Sequence, residues 1–507
     1  MTISRLTTLA AGLLVLSACA GGPKDTIAVS EEGSPFIAFN IWVKVGSQND
    51  PAGKEGLASL TASLIADGST AADSYDEILA KLYPMAAGYG STVDKEMTTF
   101  VGRIHRDNLE AYYTLFKNAI LSPAFTEADF ERIKSQTLNY LERTRRYGRD
   151  EELSKELLYW EAFKGTPYEH PEEGYVESVR SITLDDVRAF YDQYYVANNI
   201  VVGVGGGYPA GFAERVRADM DGLPQGTVAT VPKPDPVMPD GIHVLIVEKQ
   251  TDASAISIGF PIALVRSDPD FYALMTANSW FGEHRNSFSH LYQVIREARG
   301  MNYGDYSYIE AYPAGFATQV PPVNVARRSQ LFEIWIRPIA LTEPGTLHDR
   351  TLFATRAAVR ELKSLVDNGM SPATVDATKQ FLYNYTVNWA STISRRLGYA
   401  IDDAFYGMPG KGFLASIRPA LATLDTTNVN AAIRRYLQYD NMWVIFVTAD
   451  AEAMKQKLLS GAPTPITYAG PKPPGQLAED SLIASFPLPV KPENITIMGI
   501  DEVFEHK

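Results

Sequence analysis

The side chains able to do hydrolytic or metal chemistry are few, and they are badly spaced for it. The 507-residue chain carries seven histidines and one cysteine. A zinc-binding helix needs two histidines four residues apart on one face. No pair has that spacing, and His284 and His290, six apart, turn to different sides of a helix. "YEHPEEGY" sets His170 beside Glu169, Glu172 and Glu173, but Pro171 and Gly174 make the stretch a loop. No Gly-x-Ser-x-Gly elbow occurs, and no Ser-x-x-Lys is tied to a base by spacing. "GVGGGYPAG" (203–211) lacks the Gly-Lys-Ser/Thr ending of a phosphate loop and reads as a flexible turn at the end of a strand.

The elements that would position such groups are nonetheless clear. "GLASLTASLIADGST" (56–70) predicts a helix with Leu57, Leu60 and Leu64 on one face. Ser59, Ala62, Ser63 and Ala66 form a small, uncharged neighbouring face. "ITLDDVRAFYDQYYVANNIVVGV" (182–204) resembles "LDTTNVNAAIRRYLQYDNMWVIFV" (424–447): Val187, Tyr194 and Asn199 match Val429, Tyr436 and Asn441 at a constant offset of 242. Each copy predicts an amphipathic helix, a turn at Asn and an apolar strand. "SPAFTEADFERIK" (122–134) pairs in the same way with "NGMSPATVDATK" (368–379), with Thr126 and Ser371 as N-caps and Pro372 at the first helical position. Two similar α+β halves follow.

The boundaries are set by composition. Residues 223–241, dense in Pro, read as an extended linker between a half at 27–222 and a half at 242–460. Residues 461–507 are a Pro/Gly-rich connector and a tail, packed on the body or on a partner.

A net charge of −14 leaves no basis for nucleic-acid binding, which needs clustered Lys and Arg. Hydrophobic content of 45% with 21% charged residues is that of a globular chain. At the N-terminus Arg5 precedes an apolar run, Leu9 to Leu16, too short to span a bilayer. With Leu16-Ser17-Ala18-Cys19 it resembles a bacterial lipoprotein signal (1–19) followed by a tether (20–26). That resemblance implies acylation of Cys19, a lipid anchor and a periplasm-facing protein of the cell envelope. Ala20 resembles the outer-membrane sorting default.

Larger stretches resemble the pitrilysin/insulinase (M16) superfamily of zinc peptidases, in its bacterial, processing-peptidase-like branch. They are "IAFNIWVKVGSQNDPAGKEGLASLTASLIADGST" (37–70), "YWEAFKGTPYEHPEEGYVESVRSITLDDVRAFYDQYYVANNIVVGVGG" (159–206), "DPDFYALMTANSWFG" (268–282) and "FSHLYQVIREARGMNYGDYSY" (288–308). The resemblance implies an α+β clam-shell of two homologous half-domains, each a mixed, mostly antiparallel sheet with packed helices. In active relatives the segment after Gly-Leu-Ala carries His-x-x-Glu-His: two histidines hold zinc, the glutamate activates a bound water, and a distant glutamate completes the site. Here those positions hold Ser59, Ala62 and Ser63, and the downstream ligand falls on Asn139 or Tyr140. No catalytic residue, metal or cofactor is therefore expected in this chain, and zinc only in a partner.

Other family features persist. Arg296 and Tyr303 match a substrate-contacting pair, on a helix whose buried stripe is Phe288, Leu291, Tyr292 and Ile295 and whose stop is Gly300. The guanidinium and phenol suit a peptide carbonyl or a developing oxyanion. Gly90, Ser91 and Thr92 lie in the family's substrate-pairing strand, whose edge Asp94, Lys95 and Glu96 would otherwise protect. A lost zinc site with a kept Arg/Tyr pair is similar to the non-catalytic subunit of two-chain members. The expectation is a pseudo-peptidase that pairs with a homologue bearing His-x-x-Glu-His and binds unfolded peptide. The alternative is an envelope scaffold or peptide-binding module with no peptidase partner.

Overall fold

The computed structural model describes residues 25–315, 317–340 and 346–506. Cys19 and the signal-like segment lie outside them.

Among the described residues eleven strands form two sheets. In the first, β1 (Thr26–Ser30), β2 (Phe36–Val43), β3 (Tyr89–Val93), β4 (Thr98–His105) and β5 (Ile200–Gly206) lie in the order β1-β5-β2-β4-β3. The second takes β6 (Ile242–Glu248), β7 (Ala253–Ile262), β8 (Asp305–Tyr308), β9 (Gln330–Ala340) and β10 (Met442–Thr448) in the equivalent order, β6-β10-β7-β9-β8. In each of these sets of five strands one parallel pair, β1 with β5 or β6 with β10, is followed by antiparallel pairs. The duplication read from residues is thus a duplication of topology, and the molecule is bilobed, with helices packed on both sheets.

The second lobe carries an addition. Within the stretch expected as connector and tail, helix Pro474–Ala484 packs on helix Leu347–Asn368, and β11 (Val490–Gly499) joins the second sheet beside β6 in parallel. Residues 224–240 contain no helix or strand.

The lobes exchange cover. Helix Asp150–Ala162 of the first half lies on β7, β9 and β10 of the second sheet, and helix Ile393–Tyr406 of the second half lies on β1, β2 and β5 of the first. Both faces of β2 and β5 are therefore enclosed, which is why "FIAFNIWV" and "IVVGVGG" read as continuous apolar runs instead of alternating ones. Close approach demands glycine. A Cβ at Gly205 would lie 2.9 Å from Ile393 Cγ1, and one at Gly259 would lie 2.9 Å from Leu158 Cδ2. Gly203 and Gly205 are accordingly strand residues under a helix, a correction to the flexible turn expected there, whereas Gly207–Gly211 do leave the strand in a bend and turn.

The predicted caps form: Thr126 Oγ1 accepts from Asp129 N, and Ser371 Oγ accepts from Thr374 N with Pro372 following. Among the described residues no helix is long and apolar enough to cross a membrane.

Candidate functional site

Helix Leu57–Asp67 runs along β3 and presents the small face. Ala62 is fully buried in the first-lobe core, while Ser59 and Ser63 on its flank are half-buried. The helix begins at Gly56 in a left-handed conformation (φ +100°), where Asp50 accepts from Gly56 N and Ala58 N, both at 2.7 Å. The helix thus has a defined start and a packed face, with Ser59, Ala62 and Ser63 at the positions where the family resemblance expects metal ligands and base.

The two positions expected for the distant ligand lie where helix Glu127–Asn139 passes into a π-helical turn, Tyr140–Arg145. Widened turns of this kind re-aim successive side chains and recur at functional sites. Asn139 closes the regular helix, and the Tyr140 ring carries the Arg145 guanidinium at 5.2 Å. Glu142, near these positions in sequence, pairs instead with Arg180 at 2.5 Å. Two serine hydroxyls, a methyl group and a phenol do not fit a zinc ion, whose ligands are imidazole, thiolate or carboxylate. Among the described residues no group of three or more His, Cys, Asp or Glu is arranged to hold a metal.

A charged basin of about 470 Å³ opens beside these residues, at the junction of the lobes. Thr92 and Tyr140 line it, together with Arg145, Glu156 and Glu173 of the first half and Arg327 of the second. Arg145 donates to Glu156 at 2.9 Å and also to Glu173. Arg327 makes a bidentate pair with Asp94, at 2.6 and 2.8 Å, and reaches Glu172 at 3.1 Å. Burial works to raise the Glu172 carboxyl, yet Lys95, Arg327 and Arg145 outweigh it and hold it at about 2. Burial raises Glu173 above the usual carboxylate range against the pull of Arg145. His170, the apparent metal candidate of this loop, is pushed down to about 4, first by burial and then by the charge of Lys95. Glu172 and Glu173 neutralise cations, and Glu169 accepts from Gly165 N at 2.9 Å.

Asp94, Lys95 and Glu96 do not guard an exposed edge. All three are buried, against Arg327, Glu172 and Arg328 respectively. Arg327 and Arg328 of the second lobe cover Asp94 and Glu96, and the 170–172 loop of the first half holds Lys95, which no local pattern reveals. β3 itself ends the sheet, with Gly90, Ser91 and Thr92 paired to Val101, Phe100 and Thr99 of β4 and, among the described residues, no strand on the other side.

Arg296 and Tyr303, expected as a pair from the family resemblance, lie close together. Arg296 sits in a second π-helical turn, Tyr292–Glu297, and its guanidinium lies 5.7 Å from the Tyr303 ring and 5.9 Å from that of Tyr292. Tyr303 is 77% exposed, and Gly300 takes the left-handed conformation expected of the stop (φ +62°). Burial pushes the neighbouring Asp305 carboxyl well up, against an Asn302 hydrogen bond of 2.8 Å and the Arg296 charge. Leu291 and Ile295 are buried, but Phe288, expected in the same stripe, is 85% exposed, because it lies in the turn that precedes the helix. Arg299 is also buried, paired with Glu479 and Asp480 of the added helix. The pair adjoins β8, the edge strand of the second sheet, and does not line the basin.

Sequence reasoning missed Arg145, Glu156 and Arg327. Their partners come from other elements, and in the case of Arg327 from 233 residues away.

Comparison with known proteins agrees with this anatomy. Residues 26–174 match the family model described as insulinase (peptidase family M16), and residues 181–382 match that of the peptidase M16 inactive domain. An uncharacterised zinc protease of Streptomyces coelicolor is 23% identical over 54% of this chain and 60% of its own length. The non-peptidase homologue YmxG of Helicobacter pylori is 22% identical over 71% of this chain and 76% of its own. The mitochondrial-processing peptidase subunit beta of Dictyostelium discoideum is 19% identical over 50% and 55%. In structure, a peptidase M16 inactive domain from Pseudomonas fluorescens superposes with a TM-score of 0.71 at 22% identity, covering 84% of this chain and 96% of that one.

Proposed function

Because this chain belongs to the M16 peptidase family, we propose that it is a non-catalytic, substrate-binding subunit that completes a two-chain peptidase with a zinc-bearing homologue. One combination carries the reading. The first lobe keeps the helix and edge strand of a metal site but holds Ser59, Ala62, Ser63 and Tyr140 in it, while the second keeps Arg296 against Tyr303. Similarity to a non-peptidase homologue and to a processing-peptidase subunit supports the same division of labour.

In this reading the chain activates no water of its own. The unpaired edge of β3 at Gly90, Ser91 and Thr92 receives an extended peptide as an added strand, which needs main-chain groups only. Arg296 and Tyr303 donate to a peptide carbonyl and hold it for the zinc centre of the partner. Acylation of Cys19 anchors the protein to the outer membrane, facing the periplasm.

The test is to purify the tagged, acylated protein from its host membranes and identify co-purifying chains by mass spectrometry. A stoichiometric homologue carrying His-x-x-Glu-His is the expected result. Recovery of the chain alone, or with unrelated envelope proteins, would sink the two-chain reading and leave a scaffold.

A further inference from the structure

Arg145 ends the π-helical turn and Arg146 caps it, and the two grip different things. Arg145 holds Glu173 on the basin side. Arg146, 5% exposed, donates from Nε to Val503 O at 2.8 Å and from Nη2 to Glu505 at 2.7 Å. The segment that follows β11 thus leaves the second sheet and crosses to the first lobe. There Phe504 O and Glu505 O accept from Val176 N and Glu177 N at 2.9 and 3.0 Å, which are the first two amides of helix Val176–Ser181. Phe504 is buried edge-on to Trp160 with a positive φ of 53°, a conformation held only where surrounding contacts over-determine it.

The anchoring point is what matters. Val176 and Glu177 lie three to five residues beyond Glu172 and Glu173, the acidic wall of the basin. The same loop presses on the start of the metal-site helix: a Cβ at Gly56 would meet Glu173 O at 2.3 Å, and one at Gly174 would meet Glu55 O at 1.9 Å. Backbone contacts this tight transmit a shift, because packed interiors do not yield smoothly.

We propose that Asp501–Glu505 is a strap through which the second lobe fixes the 172–177 loop, and with it the acidic wall of the basin. Strap engaged, Glu172 and Glu173 are held against Arg327 and Arg145. Strap released, the loop loses its carbonyl acceptors on one side and the wall loosens. The consequence for peptide rests on the function proposed above; the strap itself does not.

Amide hydrogen exchange on the full chain tests it, comparing wild type with Glu505→Gln, with Phe504→Ala/Glu505→Gln, and with Glu493→Gln on the exposed part of β11 as control. The expected result is exchange at least tenfold faster at Val176 and Glu177 and across 172–177 in the double variant, a smaller gain in Glu505→Gln, and none in the control. The isostructural Glu505→Gln keeps the test valid should the double variant fold poorly. Unchanged exchange at 172–177, or a uniform rise over both lobes, would overturn the strap. Binding of an unfolded peptide, measured on the same samples, is expected to weaken severalfold on release. Faster exchange with unchanged binding would overturn the link to the basin, whereas a wild type that binds no peptide would overturn the earlier proposal and leave the strap to the exchange result.

Discussion

Asp94 and Arg327, one from each lobe, form a bidentate ion pair of 2.6 and 2.8 Å with both side chains about 95% enclosed. The pair lies just beyond the edge strand β3 and joins the wall of the basin to the second half of the chain. Removing the guanidinium strands the buried Asp94 carboxylate, while Glu172 keeps Lys95 at 3.2 Å. Arg327→Met should therefore cost about 3–5 kcal/mol, the usual penalty for leaving a buried charge unpaired. Urea denaturation measures it, and a loss under 1 kcal/mol would mean that the pair is screened in solution.

The glycines beneath the exchanged helices should be intolerant. At Gly259 a methyl group would stand 2.8 Å from Phe332 O and 2.9 Å from Leu158 Cδ2. Gly259→Ala is expected to lower stability by about 1–3 kcal/mol through overpacking. The melting temperature reports this, and a neutral substitution would show that helix Asp150–Ala162 lifts freely off the second sheet.

Restoring the histidines should restore metal binding in part. Ser59 and Ser63 are half-buried, so Ser59→His/Ser63→His places two imidazoles one turn apart without filling the core. Calorimetric titration with Zn²⁺ is expected to show one site in this variant and none in wild type. Adding Ala62→Glu is a different matter, because position 62 is fully enclosed and an unpaired carboxylate there should destabilise the lobe severely. Wild-type binding of stoichiometric zinc would refute the degenerate-site reading.

Arg296→Ala should separate function from stability. The side chain lies over the exposed Tyr303 ring, so its loss should change stability by under about 1 kcal/mol. Peptide turnover by the reconstituted two-chain enzyme is expected to fall by about 10²-fold, as when a preorganised donor is lost. Unaltered turnover would remove Arg296 from the substrate site.

His170 gives a pH signature of known sign. Burial, then the Lys95 charge, lowers it from 6.5 to about 4, so below pH 6.5 the unfolded chain takes up a proton that the fold refuses. Its contribution is complete above pH 6.5, declines as the pH falls toward 4, and levels off below. At about 1.4 kcal/mol per unit the loss is about 3 kcal/mol. His170→Gln should remove this part of the acid limb while leaving that of His284, which burial likewise lowers to about 4. Parallel stability curves for the two proteins would show His170 to be solvated.

The chain by itself determined what depends on near neighbours. The small face of helix Leu57–Asp67, the caps at Thr126 and Ser371 and the left-handed Gly300 follow from spacings of a few residues, whereas the pairing of Arg296 with Tyr303 and the reading of Ser59, Ala62 and Ser63 as metal-site positions rest on resemblance to the family. Repetition at a fixed offset announced two similar halves, and the strand orders match. Only the tertiary structure decided how the halves hold each other. That Asp94, Lys95 and Glu96 are buried, that glycines in β5 and β7 lie under helices from the opposite lobe, and that the tail supplies a strand and a strap are matters of docking between distant segments. Hydrophobic periodicity reports that a face is covered and says nothing of what covers it. A charged run looks the same whether water or a buried arginine from the other lobe will neutralise it.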